Sequence, residues 1–158
     1  MRYFAVLRHP SYDTQTGSLD AKGIAMSKII GTRIAASIHP CAVEIVTSPA
    51  KRAVECGVLV KRALEEHRFT VQPCKIEHLL DESMLPGTLQ DDAKEIEASI
   101  LSNRDNCDLV VYITHLQIVR YLEVYASQEF CGENLQEREN IPYGHGMVFD
   151  LLEGEVVR

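Results

Sequence analysis

Tyr3-Phe4-Ala5-Val6-Leu7-Arg8-His9 is a nearly continuous apolar run that ends in a guanidinium and an imidazole. An apolar run without alternation is typical of a strand buried on both faces, as in a parallel sheet. Two further runs have the same form: Val43-Glu44-Ile45-Val46-Thr47, followed by Ser48-Pro49 and by Arg52 one helical turn on, and Leu109-Val110-Val111-Tyr112-Ile113, followed by Thr114-His115. If the three are neighbouring parallel strands, their carboxyl ends form one edge, where open α/β sheets have their ligand crevice.

The segments between these runs have helical periodicity. Residues from Leu19 to about Ser37 are predicted to form a helix whose apolar face includes Ile29. Ser48 as N-cap and Pro49 at the first helical position predict the start of a second helix, which fades near His67. Further helices are predicted over 91–102 and through Leu116, Val119, Leu122 and Tyr125.

The other segments complete an α/β pattern. Residues 69–71, extending to 76, predict another strand, and 147–151 with 156–157 predict a hairpin at a sheet edge. Residues 127–146 are polar, and their role is left open, with a long surface loop as one interpretation. Alternation of strand and helix favours a three-layer α/β/α sandwich with a mostly parallel central sheet. The length of 158 residues fits a single domain over 1–158.

Composition excludes several classes of function. The formal net charge is −7, from 23 acidic and 16 basic residues, which disfavours nucleic-acid binding. No apolar stretch reaches the roughly 18 residues of a membrane span, and no secretory signal precedes the first strand. The five cysteines have no CxxC spacing. We therefore expect a cytoplasmic protein without membrane association, in which a local cationic cluster attracts any anionic ligand.

Four side chains are candidates for that cluster: Arg8, His9, Arg52 and His115. Each has an ordinary alternative, since Arg8-His9 could simply meet solvent, Arg52 could belong to a solvated helix face, and His115 could lie unliganded beside a cap formed by Thr114. Arginine presents a planar fork suited to two phosphoryl oxygens, and histidine can attack phosphorus. Their occurrence at three strand ends predicts a pocket for phosphoryl chemistry.

The same residues resemble the motifs of the histidine phosphatase superfamily, also called phosphoglycerate mutase-like. Leu7-Arg8-His9 resembles the strand followed by Arg-His-Gly, and Ser48-Pro49-Ala50-Lys51-Arg52-Ala53 matches Ser-Pro-x-x-Arg-Ala. Ile113-Thr114-His115 is similar to the late Gly-His or Ser-His motif, and Leu19-Asp20-Ala21-Lys22-Gly23 resembles Leu-Thr-x-x-Gly. The resemblance covers roughly residues 2–125, in the family's order.

The resemblance implies a fold and a set of roles. His9 would become a phosphohistidine, while Arg8, Arg52 and His115 would bind the phosphoryl oxygens. No metal or other cofactor is implied, and water would hydrolyse the intermediate. A glutamate after the third strand donates a proton in larger members. Glu82 is the best match, and Asp81 or no donor at all remain open alternatives.

Two residues depart from the family pattern. Pro10 replaces the glycine after His9 and removes a backbone donor, and Thr114 replaces the usual glycine or serine. The length and the pattern Thr114-His115-Leu116-x-x-Val119-x-Tyr121-Leu122 resemble short bacterial phosphohistidine phosphatases. The resemblance thus implies a metal-independent phosphatase acting on protein phosphohistidine. The alternatives are a small phosphomonoester as substrate, or a catalytically silent phosphate-binding or adaptor module. The oligomeric state is open.

Overall fold

The computed structural model describes residues 1–81, 89–102, 107–133, 135–136 and 138–157. Within these residues the elements are, in order, β1 (Tyr3–Arg8), α1 (Ala21–Ser37), β2 (Ala42–Thr47), α2 (Lys51–Glu66), β3 (Thr70–Val71), β4 (Lys75–Ile76), a short 3-10 helix (His78–Leu80), α3 (Leu89–Ser102), β5 (Leu109–Thr114), α4 (Leu116–Cys131), β6 (Gly146–Asp150) and β7 (Glu155–Val157). None of the described helices has both the length and the apolar composition needed to cross a membrane.

The strands of the described residues form one mixed, mostly parallel sheet. Its order is β3-β2-β5-β1-β6-β7, with β4 also paired to β2. β5 lies between β2 and β1 and is parallel to both, whereas β6 and β7 are antiparallel to their neighbours. Arg8 is in register with Thr114, and Thr47 with Ile113, so the three strands end at the same level. The prediction that the three apolar runs are adjacent parallel strands is confirmed.

Both faces of the sheet are covered, as the continuous apolar runs predicted. Alternate β1 residues point to opposite faces: Ala5 and Leu7 pack with α1 and α2, whereas Phe4 and Val6 pack with α3 and α4. Fully burying each large side chain contributes about 1.5–3 kcal/mol, so the two apolar layers stabilise the strand order. The three-layer arrangement is confirmed. Ile29 is an exception, because 44% of it is exposed and it does not share the buried face of α1.

Helix starts and irregular segments differ from the predictions. α1 begins at Ala21 rather than Leu19, because the Asp20 side chain accepts from the Gly23 N–H and makes Asp20 the N-cap. The predicted strand over 69–76 is divided into β3 and β4. Residues 127–131 continue α4, so the interpretation of 127–146 as one long loop is wrong at its start.

Candidate active site

The backbone brings the candidate residues together just beyond the ends of β1, β2 and β5. The His9 N–H donates to the Thr114 carbonyl at 2.9 Å, and the Ser48 N–H donates to the Ile113 carbonyl at 3.0 Å. These bonds extend the pairing of the strands by one residue. His9, Ser48 and His115 therefore leave the sheet side by side, although the two histidines are 106 positions apart in the sequence.

His9 is held as a neutral imidazole. Its Nδ1 lies 2.9 Å from the Pro10 carbonyl oxygen, and its Nε2 accepts from Arg52 Nε at 2.9 Å. A carbonyl can only accept and a guanidinium can only donate, so the proton is on Nδ1 and the lone pair on Nε2. Burial lowers the pKa of His9 to about 3, although the bond to Pro10 raises it, and the charge of Arg52 lowers it further. Pro10 thus supplies the carbonyl that orients His9, and the amide that proline lacks is not part of this contact.

Arg52 connects the two histidines. It is the second residue of α2, and helical side chains lean toward the N-terminus of their helix, so Arg52 reaches back to the strand ends. Its Nη2 lies 3.3 Å from Nδ1 of His115, while its Nε contacts His9. The face of the guanidinium lies against Tyr12, with 4.3 Å between the guanidinium carbon and the ring centroid.

His115 is buried at the N-cap position of α4 and makes no side-chain capping bond. Its Nε2 lies 3.1 Å from the Ser48 hydroxyl. Because the Arg52 guanidinium can only donate to Nδ1, a neutral His115 carries its proton on Nε2 and donates it to Ser48. Two predicted caps are therefore wrong. Ala50, not Ser48, is the N-cap of α2, and the Thr114 hydroxyl donates to the Leu80 carbonyl at 2.8 Å.

Arg8 ends β1 and is held by the segment before β6. Its Nη1 donates to the Ile141 carbonyl at 2.6 Å, and its guanidinium carbon lies 3.9 Å from the ring centroid of Tyr143. Its Nε is buried and has no hydrogen-bond partner among the described residues. The Arg8 charge also helps to lower the pKa of His9, behind the effects of burial, Arg52 and His115.

Comparison with solved structures identifies the fold, whereas comparison of the sequence alone does not. No model of a known protein family matches the chain, and no curated protein matches its sequence. Solved structures do match. The ecdysone phosphate phosphatase of Bombix mori, in complex with tungstate, has a TM-score of 0.67 at 13% identity and covers 100% of this chain and 92% of its own. The phosphoglycerate mutase of Plasmodium falciparum has a TM-score of 0.63 at 18% identity, covering 98% and 86%.

A third match is a protein of Agrobacterium tumefaciens assigned as the phosphohistidine phosphatase SixA. It has a TM-score of 0.61 at 16% identity and covers 94% of this chain and 90% of its own. The chain has the phosphoglycerate mutase-like fold. The resemblance inferred from the sequence is thus confirmed at the level of the fold.

In this phosphoglycerate mutase-like domain, two tyrosines that the sequence analysis missed surround His9. The ring centroids of Tyr12 and Tyr143 lie 5.4 and 5.6 Å from that of His9, and each tyrosine covers one arginine. Both come from irregular segments that have no hydrophobic period to mark them. The sequence offered one signal for each, an aromatic residue within a polar turn. Tyr12 lies three residues after His9, and Tyr143 directly precedes Gly144.

The predicted proton donor, Glu82, lies outside the described residues. Asp81, the alternative, ends the 3-10 helix and directly follows Leu80, whose carbonyl binds Thr114 at the end of β5. The chain therefore enters the predicted donor region close to the strand ends. Among the residues that the structure describes, no three histidine, cysteine or acidic side chains are grouped as a metal site.

The arrangement has the parts that phosphoryl transfer needs. A neutral imidazole offers a lone pair, and two guanidinium groups and a second imidazole lie around it. Preorganised donors in a buried site stabilise developing charge more strongly than water does. These groups can therefore neutralise a phosphoryl group while His9 attacks it.

Proposed function

We propose that this protein is a phosphatase that uses His9 as its nucleophile. The observation that carries the proposal is the buried, neutral His9, with Nδ1–H bonded to Pro10 and the Nε2 lone pair facing Arg52. Nε2 attacks phosphorus, and the bond from phosphorus to the leaving group breaks. The leaving group takes a proton from the acid assigned to Glu82 or Asp81 or, without such a donor, from water. Water then attacks phosphorus, the bond from Nε2 to phosphorus breaks, and inorganic phosphate is released.

The side chains around His9 stabilise the negative charge of the phosphoryl group and form no covalent bond to it. Arg52 moves its Nε–H from His9 to one phosphoryl oxygen, and Arg8 donates to a second. His115 keeps its Nε2–H on Ser48 and donates to a third oxygen through Nδ1 after taking up a second proton there. The movement of Arg52 frees the lone pair of His9 Nε2 as the phosphoryl group binds. Electrostatic stabilisation of this kind is the largest contribution in most phosphoryl-transfer sites.

Protein phosphohistidine is the substrate class that we favour. Imidazole leaves phosphorus without strong acid help, so the reaction depends little on the donor assigned to Glu82 or Asp81. The similar fold of a protein assigned as a phosphohistidine phosphatase supports this choice. The similar ecdysone phosphate phosphatase supports the alternative, a small phosphomonoester.

The decisive experiment replaces His9 with alanine. His9→Ala is expected to abolish hydrolysis of phenyl phosphate, and brief incubation of the wild-type protein with a labelled substrate is expected to give an acid-labile label on His9. A chelator should leave the rate unchanged. His39→Ala, which alters an exposed histidine after α1, is the matched control and should retain full activity. Turnover that survives in His9→Ala would reject the proposal.

A catalytically silent phosphate-binding module is the second candidate. The hydrogen bond from Arg52 to Nε2 motivates it, because a nucleophile whose lone pair stays engaged cannot attack. This candidate predicts that phosphate binds while no label forms on His9 with any substrate. Any acid-labile label on His9 excludes it.

A further inference from the structure

A cavity of about 520 Å³ lies beside Arg8. The lining residues that matter here are Arg8, Ser11, Lys22, Met26, Tyr143 and His145. Pockets of roughly 300–1,000 Å³ hold small ligands, so this space is far larger than one phosphoryl group requires. The two hydrogen bonds of the His9 ring, with Pro10 and Arg52, involve none of the cavity's lining residues.

Close backbone packing fixes the walls of this cavity. A Cβ at Gly23 would overlap the Ser11 carbonyl oxygen, so only glycine lets the loop after His9 lie against α1. Gly144 has φ of +74°, and a Cβ there would lie 2.5 Å from Met26 Cγ. The turn containing Gly144 is also tied to β1, because Arg8 N–H donates to the His145 carbonyl at 2.8 Å. The cavity is therefore built into the fold.

The lining is cationic in a protein of net charge −7. Arg8 and Lys22 each present a positive charge to the cavity, and His145 adds an imidazole. No acidic side chain is among the described residues that line it. The carboxylate of the nearby Asp20 does not line the cavity. Its Oδ1 accepts from the Ser11 hydroxyl and the Gly23 N–H, and the charge of Lys22 also helps to lower its pKa. The cavity thus favours an anion, and Met26 and Tyr143 offer an apolar surface beside it.

The cavity shares two residues with the candidate active site. Arg8 and Tyr143 line it, and the Tyr143 ring lies 5.6 Å from the His9 ring. A substrate whose phosphoryl group lies at His9 would therefore extend its remaining part past Arg8 and Tyr143. On α1, that part of the substrate would meet Lys22 and, one turn later, Met26.

We propose that this cavity binds the leaving-group part of the substrate, and that Lys22 selects substrates carrying a second anionic group, a carboxylate or another phosphate. The proposal rests on the function proposed above, because it assumes that the phosphoryl group lies at His9. It assigns Lys22 a role in specificity that is separate from the chemistry at His9.

Binding of inert phosphonates tests the proposal without requiring turnover. Calorimetry compares benzylphosphonate with its 3-carboxy and 4-carboxy derivatives. The wild-type protein is expected to bind at least one carboxylated probe about two- to fivefold more tightly than benzylphosphonate, the upper part of the range for one exposed ion pair. Lys22→Met should remove that gain and leave benzylphosphonate affinity unchanged, whereas Lys22→Arg should retain it.

Lys28→Met is the matched control, because Lys28 is an exposed lysine of the same helix that does not line the cavity. It should bind all three probes as the wild-type protein does. Equal affinity for all probes in the wild-type protein, or a gain that persists in Lys22→Met, would overturn the proposal. Failure of the proposed phosphatase function is a different result, namely no hydrolysis of phenyl phosphate.

The second anion could belong to a small molecule or to a protein. Phosphohistidine peptides with glutamate or glutamine beside the phosphorylated residue separate the two sources. A preference for glutamate that Lys22→Met removes identifies an acidic side chain of a protein substrate. A gain confined to the carboxylated phosphonates identifies a small substrate.

Discussion

At the residue scale, the orientation of the His9 ring depends on the backbone carbonyl of the next residue and not on that residue's side chain. The family motif has glycine after the histidine, and proline in its place removes a backbone donor. In the structure the contact from His9 Nδ1 goes to the Pro10 carbonyl, which every residue type possesses. The substitution therefore leaves the orientation of His9 intact.

Pro10→Gly is expected to keep kcat/KM for phenyl phosphate within about threefold of the wild-type value, because the carbonyl that orients His9 is retained. It should lower the free energy of unfolding by about 0.4–1 kcal/mol, since glycine gives the unfolded chain more freedom. Steady-state kinetics and urea unfolding measure the two effects. Pro40→Gly, in an exposed turn, is the control for the loss of stability alone. A rise or fall in kcat/KM beyond tenfold would show that the proline itself controls His9.

The sequence could not predict the use made of Ser48 and Thr114. A hydroxyl before a predicted helix is usually assigned to capping, since that contact is local. Here Ser48 contacts His115 and Thr114 contacts Leu80, and both partners are distant in the sequence. Arg8, His9, Arg52 and His115 were identifiable because each follows a conspicuous apolar run. Tyr12 and Tyr143 were not, because irregular segments give no period from which to infer their position.

At the scale of elements, the start of α1 controls the position of the loop after His9. The N-cap Asp20 binds both the Gly23 N–H and the Ser11 hydroxyl, so the helix and the loop are joined at one carboxylate. The pKa of Asp20 is lowered chiefly by the bond from Gly23 and then by the bond from Ser11. The loop that places the Tyr12 ring against Arg52 is thereby fixed to α1.

Gly23→Ala is expected to lower the free energy of unfolding by about 1–3 kcal/mol, because the new methyl group overlaps the Ser11 carbonyl. Helix propensity alone predicts the opposite sign, a gain of up to about 1 kcal/mol. Urea unfolding decides between them. Thr32→Ala, at an exposed position of α1, reports the propensity effect without the overlap. A Gly23→Ala protein as stable as the wild type would contradict the described packing.

The elements themselves were predictable to different degrees. Long apolar runs predicted β1, β2 and β5 and their parallel arrangement as neighbours, because burial on both faces leaves a strong pattern. β3 and β4 have only two residues each, and no pattern of that length specifies where a strand breaks. The starts of α1 and α2 were each placed two residues early, because local preference could not distinguish Leu19 and Ser48 from the residues at the true starts.

At the scale of the whole molecule, burying a neutral histidine makes stability depend on pH. In the unfolded chain His9 takes up a proton near its ordinary pKa of 6.5, whereas in the folded protein it does so near 3. Between these values the unfolded state binds more protons, so the free energy of unfolding falls as the pH falls. This loss begins below about pH 6.5 and ends near pH 3.

Replacing His9 with asparagine is therefore expected to flatten the pH dependence. Between pH 7.5 and pH 5 the wild-type protein should lose about 1–2 kcal/mol more of its unfolding free energy than His9→Asn does. Urea unfolding in buffers free of phosphate provides the measurement. Asp20 and Asp150, whose pKa values are lowered from 3.8, contribute a loss only below about pH 5 and do so in both proteins, so they do not obscure the effect of His9 in this range. Parallel curves would contradict a neutral buried His9.

The hydrogen bond from Arg52 to His9 has a consequence for unwanted chemistry. Uncharged alkylating or acylating compounds do not attract the Arg52 guanidinium away from His9, so the Nε2 lone pair stays engaged in the hydrogen bond. Under the proposed function, a phosphoryl dianion draws the same guanidinium to itself and exposes Nε2 of His9 as it binds. The same hydrogen bond from Arg52 would then protect His9 from uncharged electrophiles and release its lone pair for a phosphorylated substrate.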